Sequence, residues 1–356
     1  MTVRALFYEA YRNVGTGTTR TVLLAMLLGS VVVAAIFVDG LTIRQIIAEA
    51  DRFQRSAASV LTVDAPGRID GARCEALGRI PGVRASGAVR ATDDKLTSVV
   101  LPDAPIPVSE VTPHFPRLLT GDLDPGEGVV LSDEAADLLH LGTGASFDAV
   151  EGTARIAGHY AYPDDGRRPG FGYRALIVTA ANTLFDECWV DAWPQIPNLR
   201  SLLFSTVSGD GSADGDGPEL AQLNSSLGVS FDGHARFEAR ITRHLPLLVG
   251  IVSCAVGLGA LRLRRIQLAS SLHCRMCKRD LIAVQLLEAA SWIVPAACVG
   301  ACVALILAAA EGRDFAAVAA AELRFPVTAA LGGLAGTVLG AAMSRERDLF
   351  RYFKDR

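Results

Sequence analysis

The side chains best suited to bind a metal lie close together in the sequence, at His273, Cys274 and Cys277. They form the run H-C-R-M-C, and two sulfurs with one imidazole could begin a zinc or haem site. No second pair of ligands follows nearby, and the other five histidines are scattered without ligand spacing. Coincidence, or packing in a small helix, is the better interpretation, and we predict no bound metal.

Motifs that would indicate an enzyme are absent from the sequence. There is no G-x-S-x-G, no H-E-x-x-H and no paired C-x-x-C framework. The run GTGTT at 15–19 superficially resembles a phosphate-binding loop, but it has no lysine and no strand precedes it. The acidic run at 208–217 lacks the terminal glutamate of a calcium loop, so we interpret it as a solvated linker. We therefore expect no catalytic residue, no cofactor and no ATP hydrolysis in this chain.

The sequence contains four apolar stretches, at 21–41, 245–261, 281–310 and 327–343. They must position any residues that carry the function of the chain. A helix needs roughly 20 apolar residues to cross a bilayer, so we predict four transmembrane helices. A mostly polar segment, 42–244, separates the first from the other three, with 311–326 as a short second loop. The tail before the first helix, 1–20, places apolar residues on one helical face and predicts an amphipathic helix at the membrane surface.

Basic residues beside these stretches predict the orientation in the membrane. The loop 262–280 contains five arginines and one lysine against one aspartate, and both terminal tails, 1–20 and 344–356, are also basic. We therefore expect both termini in the cytoplasm of a cell-membrane protein and segment 42–244 outside. Positions 44–243 contain 18 basic and 28 acidic residues, an asymmetry that the net charge of −4 hides. This distribution gives no reason to expect nucleic acid as a partner.

The outer segment is predicted to be a mixed α+β domain with a helical stalk. Cys74 and Cys188 are its only cysteines, and in an oxidising compartment they could form a disulfide. The sequence does not give the distance between their Cβ atoms, so the bridged and unbridged states both stay open. We predict helices at 69–80, 132–139 and 218–227, and strands at 58–63, 98–101, 128–131, 154–156, 175–178 and 201–206.

Three glycines in the last apolar stretch, Gly332, Gly336 and Gly340, repeat at every fourth position. Such small-xxx-small spacing lets two transmembrane helices approach closely, so we predict a helix-packing face there. A composition rich in glycine and alanine also produces this spacing by chance, which is the alternative.

Two segments support a family resemblance. Residues 262–288 (RLRRIQLASSLHCRMCKRDLIAVQLLE) have a basic start, a small-residue turn, further basic residues and an apolar helix containing a glutamate. Residues 128–160 have the strand and helix that precede a small β-subdomain. With the spacing of the apolar stretches, these features resemble the FtsX/MacB-type (type VII) permeases of ABC transporters. Where the family commonly has Ala-Leu-Gly, this chain has Ser271-Leu272-His273.

The resemblance implies a function that requires partners. Two permease subunits, identical or related, would pair in the membrane, and a cytoplasmic ATPase dimer would bind ATP and Mg²⁺. Residues 266–279 would form the coupling helix on that ATPase, and arginines that only anchor the loop to lipid headgroups are the alternative. The residues implied to couple to the ATPase are Arg265, Ser271, Leu272, His273, Arg275, Lys278 and Arg279.

The activity implied is export, or extraction from the outer leaflet, of an amphipathic substrate such as a peptide, a drug or a lipoprotein. The same architecture also serves to regulate an extracellular enzyme by mechanical transmission. A membrane-anchored sensor that binds a ligand is the alternative from another class. The sequence does not distinguish between these substrates.

Overall fold

The computed structural model describes residues 2–121, 128–209, 217–310 and 312–345. Most of the predicted linker 208–217 and of the tail 344–356 lies outside these residues. The chain forms two compact units: a helical unit, residues 1–48 and 233–356, and a sheet unit, residues 49–232. Four long apolar helices and a mixed sheet domain inserted between the first and second of them confirm the predicted fold class.

The described helices include long apolar elements and several short ones. In chain order they are α1 (Val3–Gly15), α2 (Thr21–Arg55), α3 (Gly71–Leu77), α4 (Arg117–Thr120), α5 (Asp133–Leu139), α6 (Leu199–Phe204), α7 (Gly233–Ala239), α8 (Leu245–Leu263), α9 (Arg265–His273), α10 (Lys278–Ala310), α11 (Phe315–Glu322) and α12 (Arg324–Met343).

Four of these helical segments are long and apolar enough to cross a membrane: α2, α8 with the preceding 3₁₀ turn, α10, and α11 with α12. The chain is thus a multi-pass membrane protein. The core of the helical unit contains Leu28, Val32 and Ile36 from α2 and Trp292 and Ile293 from α10. Residues 311–326 are not a simple loop, since 315–322 form α11 and α12 begins at 324. The alanine-rich run FAAVAAAE explains α11, because alanine has the highest helix propensity.

Among the described residues, nine strands form one sheet in the order β5-β6-β4-β7-β3-β2-β8-β1-β9. The β3–β7 and β4–β6 pairs are parallel and the other pairs are antiparallel. The strands are β1 (Val60–Asp70), β2 (Val83–Leu96), β3 (Ile106–Val111), β4 (Val129–Ser132), β5 (Ser146–Ala149), β6 (Gly152–Tyr160), β7 (Ala175–Val178), β8 (Leu184–Ala192) and β9 (Glu219–Gln222).

Strand β8 divides its side chains between two apolar cores, because successive residues of a strand point to opposite faces. Cys188 and Val190 pack in one core with Cys74 of α3. Trp189 packs in the other with Phe115 and Phe171, with ring centroids 5.1 and 4.9 Å from its own. Both faces of the sheet centre are therefore covered, and β8 is buried along most of its length.

Several local predictions for this unit were wrong. The segment 201–206 was predicted as a strand, but 199–204 are helix α6, which buries Leu199 and Leu203 at the i, i+4 spacing of a helix. The segment 218–227 was predicted as a helix, but its residues 219–222 form the edge strand β9, which pairs with β1. The segment 98–101 makes only an isolated bridge, between Ser98 and Ala149.

Buried charged groups occupy both ends of the transmembrane part of the helical unit. Near the start of α2, Glu288 pairs with Arg264; near residue 39 of the same helix, Asp39 pairs with Arg240. Thr21, which faces Ser291 close to Glu288, and Asp39 are 18 residues apart along α2, which is ~27 Å at 1.5 Å per residue. That length is close to the ~30 Å thickness of a bilayer's hydrocarbon core, so the two ion pairs lie at the two boundaries of the apolar bundle.

Candidate functional site

Helix α9 is a short helix between the long helices α8 and α10, and it ends in a defined turn. The amide of Met276 donates to the carbonyl of Ser271, and the amide of Arg275 donates to that of Leu272. These two bonds form a Schellman motif, with Arg275 in the left-handed position at φ +64°. The predicted coupling helix 266–279 is therefore interrupted: α9 stops at 273, and Lys278 and Arg279 belong to the first turn of α10.

The inner face of α9 packs on the base of the helical bundle. Leu268 and Leu272 are buried against Leu261 of α8 and Leu281 of α10. Leu272 was proposed as a residue that couples to an ATPase, but its side chain lies inside this apolar cluster. Any role of Leu272 in coupling must therefore act through the position of α9, and not through a contact on the surface.

The surface beside this turn is basic. Arg275, Lys278 and Arg279 are exposed, as is His273, while Ser271 and Arg265 are half-buried. Ser271 uses its hydroxyl within the helix, where it donates to the carbonyl of Gln267 at 3.0 Å. We define Arg275, Lys278 and Arg279 as the basic surface of the site.

A buried polar cluster holds α9 to two other helices. Glu288 of α10 accepts from Arg264 Nη1 at 2.5 Å through one oxygen and from Asn13 Nδ2 of α1 at 2.7 Å through the other. Arg264, at the junction of α8 and α9, also donates from Nε to Gln267 Oε1 at 3.0 Å. The side chains of Glu288 and Arg264 are 4% and 15% exposed. We call Asn13, Arg264 and Glu288 the Glu288 cluster.

Only one member of this cluster could be predicted from the sequence. A glutamate inside an apolar helix must find a partner or reach the interface, and Glu288 is such a residue. Its partners were not predicted, because Asn13 is 275 residues away in the chain and the loop offers several arginines. In the structure, Arg264 is the arginine of this loop that donates a hydrogen bond to Glu288.

A polar cavity of about 340 Å³ lies beside the Glu288 cluster, between α1, α9 and α10. Its lining includes Glu9, Asn13, Gln267 and Gln285, and a cavity of this size and polarity has room for several water molecules. Helix α9 is thus linked to α1 through Arg264 and Glu288, and this cavity lies between the two helices. This arrangement leaves room for α9 to shift relative to α1.

The H-C-R-M-C run lies on the exposed side of the same turn. Cys274 and Cys277 are both exposed free thiols. Within the described part of the chain, no group of three or more His, Cys, Asp or Glu side chains is arranged to hold a metal ion.

The glycines of α12 lie where that helix crosses α8. A Cβ atom on Gly332 would collide with the backbone of Gly250, and one on Gly336 would collide with the carbonyl oxygen of Cys254. A Cβ on Gly340 would lie 3.0 Å from the Cβ of Leu261. All three glycines therefore lie on a close helix–helix contact, which is the geometry that the spacing predicts.

In the sheet unit, the structure joins Cys74 of α3 to Cys188 of β8 in a disulfide with a Cα–Cα distance of 5.9 Å. Both residues are fully buried in one apolar core. The bond closes a loop with a sequence separation of 114 residues, so it ties α3 to the centre of the sheet.

Replacing Cys188 with alanine should lower the free energy of unfolding by about 2–4 kcal/mol, because the bond removes conformational freedom from the unfolded chain. Chemical denaturation of the full chain in detergent, followed by tryptophan fluorescence, measures the change. Cys274→Ala is the matched control and should leave the transition unchanged, since Cys274 is exposed and unbridged. Equal transitions for the two variants would contradict a stabilising disulfide.

Comparison with known proteins gives little further information. No protein-family model matches the sequence, and no curated protein matches it. Among solved structures, the chain is similar to the crystal structure of the periplasmic region of MacB from Actinobacillus actinomycetemcomitans. The sequence identity is 8%, the match covers 42% of this chain and 83% of that one, and the TM-score is 0.30. At that score the likeness carries no argument about function.

Proposed function

We propose that this chain is the permease subunit of an ABC transporter, driven by a partner ATPase that binds at α9. The observation that carries the proposal is a short helix between two spans, with a basic surface on one side and the Glu288 cluster on the other. A partner that pushes on α9 would act on α10 and α1 through Glu288 of α10, because one oxygen of that carboxylate accepts from Arg264 at the start of α9 and the other from Asn13 of α1. ATP and Mg²⁺ would be held by the partner.

The conformation of Arg275 supports a role for its side chain. A non-glycine residue in the left-handed region costs of order 1–3 kcal/mol, and the C′ position of a Schellman motif usually holds glycine. An exposed arginine at such a position gains nothing from burial. Its charge, next to Lys278 and Arg279, fits acidic groups on a partner protein.

We propose further that the transporter exports or extracts its substrate on the outer side of the cell membrane. We place the sheet unit outside the cell, which suits its buried disulfide, since disulfides persist in oxidising compartments. The apolar bundle and the polar sheet unit together suit an amphipathic substrate that is exported or extracted from the outer leaflet. A second permease subunit would complete the assembly.

Arg275→Gly provides the test with least effect on folding, because glycine takes the same left-handed conformation without strain. The full chain, purified from its native membranes, should recover an ATPase that hydrolyses ATP. The variant should recover less of it and show at least tenfold weaker binding. Microscale binding to the recovered ATPase measures the affinity, and ATP hydrolysis by the complex measures the coupling.

His140→Gly is the matched control, since His140 also has a left-handed backbone, at φ 52°, but lies in the sheet unit at the end of α5. It should gain similar stability without any change in ATPase binding. Recovery of no ATPase by the wild-type chain would refute the permease proposal. Wild-type affinity in Arg275→Gly would remove the basic surface from the docking site and favour lipid anchoring.

A further inference from the structure

A second buried charged cluster lies at the end of the helical unit opposite α9. Asp39 of α2 accepts from Arg240 Nε at 3.1 Å, and both side chains are almost fully buried. Glu322, the last residue of α11, is fully buried near them. We call Asp39, Arg240 and Glu322 the Asp39 cluster.

The hydrogen bonds of Arg240 go to groups other than Glu322. Besides Asp39, its guanidinium donates from Nη1 to the carbonyl of Phe237 at 2.6 Å and stacks on the Phe237 ring, with 3.8 Å from Cζ to the ring centroid. The cluster therefore contains two carboxylates and one guanidinium. Neither oxygen of Glu322 has a hydrogen-bond partner among the described residues. Because an unpaired buried carboxylate is strongly unfavourable, Glu322 must either take up a proton or pair with a cation.

Glu322 borders a cavity of about 60 Å³ that supplies space for such a partner. One water molecule occupies ~30 Å³ of liquid, so the space fits a group about the size of an ammonium with one methylene. The position of Gly40 keeps this space open: a Cβ there would lie 3.5 Å from Glu322 Oε1 and 3.7 Å from Leu307 Cδ1.

The rest of the lining is apolar, apart from Arg44 at the rim. Phe37 and Leu41 line the cavity and are also exposed on the surface of α2, so the cavity opens at the apolar surface of the bundle. Arg44 is exposed and donates no hydrogen bond to Glu322. Apart from the two oxygens of Glu322, no carboxylate, imidazole or thiol of the described chain lines the space. A metal ion would need several more oxygen or nitrogen ligands.

We propose that Glu322 binds the ammonium group of a cationic amphiphile, a primary alkylamine in the simplest case. The ammonium would pair with the two free carboxylate oxygens, and the alkyl chain would extend along Phe37 and Leu41 at the bundle surface. The site goes beyond the proposed transport function and does not require the ATPase.

The test uses the full chain in detergent with hexylammonium as the probe and hexanol as a neutral probe of the same chain length. Hexylammonium should raise the thermal unfolding midpoint saturably, since a ligand that binds only the folded state stabilises it. Hexanol should give no saturable shift. Glu322→Gln should weaken the apparent affinity for hexylammonium at least tenfold, and Gly40→Leu should do the same by filling the cavity while the carboxylate remains.

Glu238→Gln is the matched control, because Glu238 is an exposed acidic residue of the same unit; it should bind the probe as the wild-type chain does. Equal shifts in the wild-type and Glu322→Gln chains, or equal shifts with hexanol, would overturn the proposal. A wild-type chain that shows no shift while Glu322→Gln is more stable would also overturn it, because a proton alone then satisfies the carboxyl group.

Discussion

Gly336→Leu is expected to abolish accumulation of the folded chain. Helices α8 and α12 touch through their backbones at this position, where even a Cβ atom would collide with the carbonyl oxygen of Cys254. Association of transmembrane helices depends on van der Waals packing, so forcing these two apart removes contacts along both. Size-exclusion chromatography of the detergent-solubilised variant should show aggregate in place of the monodisperse wild-type peak.

Gly336→Ala allows a quantitative version of the same experiment. Overpacking costs about 1–3 kcal/mol, whereas replacing glycine by alanine in a helix gains about 1 kcal/mol, so we expect a net loss of stability. Gly259→Ala in α8 is the matched control, because a Cβ there meets nothing within 4 Å. That variant should be as stable as the wild type or slightly more stable. A Gly336→Ala chain at least as stable as Gly259→Ala would contradict the close contact.

Glu288→Ala is expected to lower the free energy of unfolding by about 3–5 kcal/mol, since it leaves the buried Arg264 without its counter-charge. If the proposed function holds, the variant should also fail to stimulate ATP hydrolysis by the partner ATPase. The reason is that residue 288 would no longer bond Arg264 at the start of α9 to α10. Glu288→Gln keeps an acceptor for Asn13 but removes the charge, and we expect an intermediate loss. Thermal unfolding and ATP hydrolysis measured on the same samples give both effects.

A surface ion pair provides the comparison for Glu288. Glu9 and Arg12 of α1 form a pair at 2.8 Å with side chains 31% and 59% exposed. Exposed pairs contribute less than about 1 kcal/mol, so Glu9→Ala should be nearly neutral in stability. Losses of the same size in Glu9→Ala and Glu288→Ala would mean that the Glu288 cluster is not a buried ion pair in the membrane.

The long helices were predictable because one physical requirement, a continuous apolar run, defines each of them. The amino end of α5 was predictable for a similar reason: serine is a preferred helix-capping residue, and the hydroxyl of Ser132 accepts from the amide of Ala135. Elements whose conformation depends on pairing with distant segments of the chain could not be predicted from the sequence. Strand β2 has a polar run in its second half (ATDD at 91–94), and the residues around this run pair with distant segments of the chain, β8 and β3, so it was not predicted.

The candidate site also has residues that could be predicted from the sequence and residues that could not. The exposed basic residues follow from the sequence, because charges beside an apolar run must lie at the interface. The turn at Arg275 could not be predicted, since the usual glycine is absent from it. Nor could the pairing of Asp39 with Arg240, which are 201 residues apart and belong to different segments of the unit.

The buried ion pairs at the two ends of the bundle, Glu288 with Arg264 and Asp39 with Arg240, have a consequence for where the protein can reside. They bound an apolar stretch whose length along α2, from Thr21 to Asp39, is ~27 Å. Hydrophobic mismatch costs fractions of a kcal/mol per Å, and a thicker bilayer would draw these charges into hydrocarbon. The helical unit is therefore matched to a bilayer of about ordinary thickness, and lipid acyl-chain length becomes a variable that sets its stability.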